Sequence, residues 1–264
     1  MKIKNPKKKL GQNFLTDKNI INIIVDTAKL NNHDYVLEVG PGTGNLTEKI
    51  ISKNPKKIFA VEKDNFLAEQ LRDKFKDNIL LVNDDILDID ERKFIDQPII
   101  VFGNLPYNIS TQILIKWIRI NNINKIFKKF ILMFQKEVAD RIVANTNDKN
   151  YGRLSILTAW KMNVTKIIEV SANSFYPVPN VKSTVLLIEP KNKHHNFKNP
   201  KNIEYITNVF FNQRRKMIKK PLNFLFKNAS EISKKLNINI NDRPQNLSPL
   251  KYFELCDEYE KLFS

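Results

Sequence analysis

Between about residues 17 and 135, short apolar runs alternate with amphipathic stretches. The runs 34–40 (DYVLEVG), 56–62 (KKIFAVE), 78–84 (NILLVND), 97–104 (QPIIVFGN) and 129–135 (KFILMFQ) read as strands. Each is rich in Val, Ile, Leu and Phe and ends at polar or turn residues, the pattern of a strand buried on both faces. The stretches 45–53, 65–75 and 110–120 carry apolar residues at helical spacing. Strands alternating with helices predict a parallel sheet covered on both sides. Further helices are expected from Lys136 to Ala144 and from Leu154 to Lys161. Two late strands, 164–171 and 183–190, are joined by a short connection and are expected to pair antiparallel at the sheet edge.

The segment 189–202 (EPKNKHHNFKNPKN) is polar and charged and contains two prolines, so it reads as a linker. Beyond it strand character disappears. Residues 203–218, 229–236 and 248–263 have helical periodicity. The expected organisation is an α/β domain over 1–190 and a small all-helical domain over 191–264.

Composition narrows the classes. Apolar residues make up 42% of the 264, enough for a real core, and the single cysteine, Cys256, rules out an internal disulfide. No signal peptide and no apolar run of membrane-spanning length is present, so a soluble, cytoplasmic protein is expected. The formal net charge of +16 favours a polyanionic partner, with nucleic acid first, although an AT-rich genome inflates lysine by itself. His33, His194 and His195 are not spaced as metal ligands, and no metal is expected.

The chain has six glycines, and three of them, Gly40, Gly42 and Gly44, fall within five positions of LEVGPGTGNLT (37–47). Glycines at a strand-to-helix turn let the backbone approach a ligand closely. The spacing is G-x-G-x-G, which differs from the pyrophosphate fingerprint. Glu62 ends the second strand, where an acid can accept hydrogen bonds from both ribose hydroxyls. Asp84 and Asp85 end the third, where a carboxylate can accept from an adenine amino group and the Ile86 N–H can meet the ring. Neighbours on a strand face opposite ways, so which aspartate points inward stays open. All these positions lie at C-terminal strand ends, where open α/β sheets bind ligands. The set suits an adenosine-bearing cofactor without a diphosphate, and S-adenosylmethionine fits best.

The stretch VFGNLPYNIS (101–110) then gains a chemical reading. An exocyclic adenine amine is a poor nucleophile because its lone pair is delocalised into the ring. Two acceptors held against its N–H bonds, the Asn104 side-chain oxygen and the Leu105 carbonyl, favour the localised, pyramidal amine. Pro106 removes a backbone donor and stiffens the turn. Tyr107 can stack on the base, which must be extruded if it comes from a duplex. No strong base is required, because the proton becomes acidic once the methyl is attached; positioning and electrostatics dominate.

These motifs, in this order and at about this spacing, resemble the KsgA-type rRNA adenine N6,N6-dimethyltransferases over nearly the whole chain. The matching segments are LGQNFL (10–15), LEVGPGTGNLT (37–47), VEKD (61–64), DIL (85–87), GNLPYNIS (103–110), FQKEVADRIVA (134–144), YGRLS (151–155), FYPVPNVKS (175–183), FNQRRKM (211–217) and RPQNLS (243–248). The resemblance implies a class I, Rossmann-like S-adenosylmethionine-dependent methyltransferase domain followed by a small helical domain that docks RNA. It implies that the segment holding Gln12, Asn13 and Leu15 closes over the cofactor. Gly40 would lie at its methionine part, with Gly42 also binding the cofactor, Glu62 at the ribose, and Asp85 and Ile86 at the adenine, with Asn104 reaching both ligands. Asn104, Leu105, Pro106 and Tyr107 would handle the target base, with Phe175 as a second aromatic wall. The run 212–216 (NQRRK) and Lys7–Lys9 would meet RNA phosphates. The implied substrate is a pair of adjacent adenines near the 3′ end of small-subunit rRNA, presented by a precursor of the small ribosomal subunit to a monomeric enzyme. Two rivals share the fold: a large-subunit rRNA dimethyltransferase, against which FNQRRKM and RPQNLS argue, and a non-catalytic RNA-binding assembly factor.

Overall fold

The structure is a computed structural model describing residues 6–7, 10–93 and 97–263; Lys8 and Lys9, two of the expected RNA contacts, lie outside the described residues. Its elements in chain order are β1 (Phe14–Leu15), α1 (Lys18–Ala28), β2 (Tyr35–Val39), α2 (Asn45–Ile51), β3 (Lys57–Val61), α3 (Asn65–Phe75), β4 (Leu80–Val82), β5 (Ile99–Asn104), α4 (Ser110–Ile118) and β6 (Phe127–Gln135). There follow α5 (Lys136–Val143), α6 (Arg153–Lys161), β7 (Met162–Val170), β8 (Phe175–Tyr176), β9 (Ser183–Pro190), α7 (Pro200–Phe211), α8 (Lys219–Leu225), α9 (Ala229–Lys235) and α10 (Pro249–Lys261).

Seven strands form one sheet in the order β4-β3-β2-β5-β6-β9-β7. The pairs β2–β3, β3–β4, β2–β5 and β5–β6 are parallel, and β9 runs antiparallel to β6. The expected parallel sheet is therefore present. β9 joins it next to β6, with β7 as its other neighbour at the edge. The central strands are apolar on both faces because both faces are covered: Val36, Leu37, Ile99, Ile100, Val101 and Phe102 are at most 1% exposed. Chain order reverses beside β2, since β3 lies on one side of it and β5 on the other. Such a reversal opens a crevice at the carboxyl ends of the strands.

Helices α1 and α8 and the short strands β1 and β8 were not among the expected elements. Helix α1 is capped by Asp17, whose Oδ1 accepts from the Asn19 and Ile20 N–H groups, and it buries Ile20, Ile21, Ile24, Val25 and Ala28. β1 and β8 form a two-residue antiparallel bridge, Phe14 opposite Tyr176 and Leu15 opposite Phe175.

The chain divides into two compact units, one of residues 1–139 and 164–190, the other of 140–163 and 191–264. The sequence places 140–163 in the first domain; in the structure these residues belong with the C-terminal helices. The physical reason is α6. Its Leu154, Ile156, Leu157 and Trp160 are buried, and it packs against α7 and α10. Within this unit the Tyr151 hydroxyl donates to the Leu247 carbonyl at 2.9 Å and the Tyr252 hydroxyl to the Pro244 carbonyl at 2.7 Å. Cys256 is fully buried here, and burial pushes its thiol far above the ordinary range, as a structural cysteine requires.

Candidate active site

At the carboxyl ends of β2 to β5, residues 10–15, 38–43, 45–46, 61–63, 84–86 and 104–109, with Leu67, line one cleft enclosing about 1170 Å³, open solvent included. The cleft thus gathers Gln12, Asn13, Leu15, Gly40, Gly42, Glu62, Asp85, Ile86, Asn104, Leu105, Pro106 and Tyr107. It does not gather Phe175.

The glycine turn is built for close approach. Gly40 and Gly42 have φ of +67° and +58°, which L side chains rarely adopt. A Cβ on Gly42 would stand 2.7 Å from the Phe14 ring, whereas a Cβ on Gly40 would meet nothing within 4 Å. Gly40 therefore leaves its backbone bare toward the cleft. The Gly42 N–H donates to Glu62 Oε2 at 3.1 Å, and the Asp64 N–H to Glu62 Oε1 at 2.9 Å. These bonds fix a carboxylate that is 7% exposed. Burial raises its pKa, opposed by the two N–H donors. Each oxygen keeps a free lone pair for a hydroxyl donor.

Glu38 is a cleft residue the sequence reading passed over. It is 1% exposed, and its Oε2 has no hydrogen-bond partner among the described residues. Burial lifts its pKa to about 7, with the Thr47 hydroxyl opposing and the nearby Glu62 charge adding to the rise. A lone acid inside the apolar run Val36–Val39 is the signal that would have found it. A buried carboxylate with an unpaired oxygen, lining a cleft, suits a ligand that brings positive charge.

At the end of β4, Asp85 is half-buried and Asp84 exposed. Burial works to raise the Asp85 pKa, but Lys63 Nζ at 2.5 Å and the Leu87 N–H at 2.9 Å hold it below the ordinary carboxylate range. Asp84 Oδ1 accepts from the Asp85 N–H at 2.7 Å.

The residues 10–15 strap the same edge. Gln12 Nε2 and Lys7 Nζ each reach the Asp64 carboxylate at 2.9 Å, and Asn45 Nδ2 donates to the Leu15 carbonyl at 2.9 Å. Gln12, expected at the cofactor, thus lines the cleft while its amide is engaged by Asp64. The neighbouring bond is chemically informative: Asn104 Nδ2 donates to the Asn13 carbonyl at 2.7 Å. That bond commits the amide nitrogen and leaves Asn104 Oδ1 as an acceptor next to the Leu105 backbone. The Tyr107 hydroxyl lies 2.7 Å from Ser183 Oγ, and burial raises the phenol's pKa against that hydrogen bond.

Phe175, expected as the second aromatic wall of the base pocket, is 2% exposed and lies in the core with Leu15, Ile20 and Val170. In a two-residue strand adjacent side chains take opposite faces; Phe175 takes the inner one, and Tyr176, 52% exposed, the outer.

In the second unit, Gln213, Arg215, Lys216, Lys219, Lys220, Asn223 and Arg243 line a basic groove with Met217. Arg214 of the same run turns back and donates to the Lys149 carbonyl. His195 Nε2 lies 2.6 Å from Asp257 Oδ2, and His194 is near the Trp160 ring. No helix among the described residues is long and apolar enough to cross a membrane.

Comparison with known proteins places this geometry. The family model described as ribosomal RNA adenine dimethylase matches residues 3–261. A protein of Pelagibacter ubique named ribosomal RNA small subunit methyltransferase A is 53% identical over 97% of each chain, and one of the same name from Ehrlichia chaffeensis is 43% identical over 96% of each. A dimethyladenosine transferase from Plasmodium falciparum superposes with a TM-score of 0.77 at 26% identity, covering 94% of this chain and 98% of that one. The 23S rRNA methyltransferase ErmE shares the fold, with a TM-score of 0.70 at 23% identity over 94% and 100%. With a class I methyltransferase sheet, an acid-lined cleft at its carboxyl edge and an N-L-P-Y tetrad in that lining, the chain is a member of the ribosomal RNA adenine dimethylase family.

Proposed function

We propose that this chain dimethylates N6 of two adjacent adenines in a loop near the 3′ end of small-subunit rRNA, acting as a cytoplasmic monomer on a late precursor of the small subunit. The name shared by its relatives in Pelagibacter and Ehrlichia supports the small-subunit target. The observation that carries the chemistry is the Asn104 to Asn13 bond, which fixes the amide with its oxygen free.

S-adenosylmethionine supplies a methyl group on a sulfonium, which departs as a neutral thioether. The chain's residues fit it. The bare Gly40 turn takes the amino-acid end, the Glu62 carboxylate the ribose, and Asp85 with Ile86 the adenine. Glu38 adds an unpaired buried oxygen suited to positive charge. On the other side, Asn104 Oδ1 and the Leu105 carbonyl accept the two N–H bonds of the target amine and localise its lone pair. Pro106 shapes the turn, and Tyr107, tethered by Ser183, stacks on the base. The amine loses its proton to water after transfer, so no protein base is required. Phe175 serves by packing against Leu15 beneath the strap. The basic groove of Arg215, Lys216, Lys219, Lys220 and Arg243 holds RNA phosphates.

The test is transfer from tritiated S-adenosylmethionine to under-methylated small subunits, with N6,N6-dimethyladenosine sought in the digested RNA. Wild type is expected to make it, and Asn104→Ala to lose it while still binding small subunits. If neither transfers label yet both bind subunits, the assembly-factor reading replaces the enzyme.

A further inference from the structure

Lys116 lies on α4, the helix that follows the N-L-P-Y tetrad. Its ammonium meets three acceptors: the Ile86 carbonyl at 2.6 Å, the Ile89 carbonyl at 2.5 Å and Glu91 Oε1 at 2.8 Å. An ammonium has three donors, so all three are committed to the loop that leaves β4. The same Glu91 oxygen accepts from Trp117 Nε1 at 2.6 Å, and Glu91 is only 1% exposed. Ile86 and Ile89, on either side of the bend, are 5% and 8% exposed. This is an unusual use of a lysine. It stands in the run Ile113–Ile118, otherwise apolar, and its ammonium turns to the 85–91 loop.

The consequence is mechanical. Asp85 and Ile86 open the 85–91 loop, and Lys116 binds that loop at its second, fifth and seventh residues. The other end of α4 runs directly into Tyr107 through Asn108 and Ile109. One side chain therefore ties the end of the cleft near β4 to the helix that follows the base-handling tetrad. A charged donor shared by three acceptors, one of them a buried carboxylate, is strong, and its removal strands that carboxylate.

We propose that Lys116 is a positioning residue that locks the adenine subsite of the cofactor to the target-base site, so that the two form one rigid piece. This rests on the reading above that the cofactor's adenine lies against Asp85 and Ile86. Lys116 touches neither ligand; it acts through the Ile86 carbonyl and the loop. Glu91 and Trp117 complete the lock from either end.

The experiment is calorimetric binding of S-adenosylhomocysteine and of 5′-methylthioadenosine to the full chain, in wild type and in Lys116→Met, Lys116→Arg and Asp85→Ala. Lys116→Met is expected to weaken both ligands by about tenfold, the worth of a lost charged hydrogen bond. The two losses should be equal, because both ligands carry the adenosine and only one carries the amino-acid end. A general loosening of the cleft would penalise S-adenosylhomocysteine further at the Gly40 turn, so unequal losses overturn the proposal. Lys116→Arg should recover part of the affinity. Hydrogen exchange should quicken at the amides of 86–91 and not in β2. If Asp85→Ala weakens binding and Lys116→Met does not, the lock is wrong and the cofactor reading stands. If neither weakens it, the cofactor reading itself falls. Should Lys116→Met not fold, Glu91→Gln decides: it keeps the acceptor for Trp117, removes the charge facing Lys116, and is expected to weaken both ligands about threefold, while unchanged affinity would refute the lock.

Discussion

Replacing Glu38 by Gln tests the electrostatics of the cleft on the protein without its cofactor. Glu38 is 1% exposed and titrates at about 7 when folded, against an ordinary 4.5. Between those values the folded chain holds a proton that the unfolded chain has released. Stability therefore falls as pH rises through that interval, by about 1.4 kcal/mol for each pH unit, and the full loss of about 3 kcal/mol is reached above pH 7. Below pH 4.5 both states are protonated and the cost vanishes. Glutamine keeps the shape and the acceptor but carries no charge, so Glu38→Gln escapes this dependence. Glu62, also raised by burial, is present in both proteins, so the difference reports Glu38 together with its coupling to Glu62. Urea unfolding of the cofactor-free proteins should show a small gap at about pH 5 and a gain for the variant approaching 3 kcal/mol at about pH 8. Cofactor should then narrow the difference, since positive charge beside Glu38 favours its ionised form, and binding near neutral pH should release a proton. A stability gap that stays flat within about 1 kcal/mol across this range would refute the reasoning.

Gly42→Ala puts a side chain at φ +58° and a methyl 2.7 Å from the Phe14 ring. Left-handed backbone costs about 1 kcal/mol and the displaced ring about 1–3 more, so denaturant unfolding should show a loss of about 2–4 kcal/mol with weakened cofactor binding. Ser183→Ala leaves the half-buried Tyr107 hydroxyl without its partner. Methyl transfer to RNA should fall by about tenfold with cofactor affinity unchanged, and adding Tyr107→Phe should restore much of the rate, because removing both partners costs little.

The central sheet was legible because its strands are apolar on both faces, a pattern that Val36–Leu37 and Ile99–Phe102 could scarcely satisfy elsewhere. The glycine turn and the acids at the ends of β3 and β4 were legible because ligand chemistry leaves few residue choices there. What escaped depended on distant partners. The bridge of Phe14–Leu15 to Phe175–Tyr176 joins segments about 160 residues apart, too short on either side to show a strand period. That bridge also decides that Phe175 faces the core. The excursion 140–163 departs from the first unit because of what α6 packs against, and α6, buried nearly all round, does not announce its neighbour. Asn13 supplies its backbone carbonyl to Asn104, and a carbonyl has no sequence signature. Lys116 and Glu38 each carried a faint signal, a single charge inside an apolar run, whose meaning needed three dimensions.

A chain of net charge +16 that binds a cationic cofactor must keep two electrostatic regimes apart. RNA responds to the sum of basic surface, which acts over about a Debye length, roughly 10 Å in ordinary salt. The cofactor responds to what lies within contact. The cleft presents Glu38, Glu62, Asp84 and Asp85 with Lys63 as the cation lining it, and Lys63 is drawn onto Asp85. Its local balance is therefore negative inside a positive protein. Burial sharpens this, because Glu38 and Glu62 lie where water does little to screen them. Methyl transfer removes the sulfonium charge while leaving those carboxylates in place. On the cofactor placement proposed above, the same groups would favour the loaded cofactor over its spent form, which would help each product give way to a second cofactor before the adenine receives its second methyl.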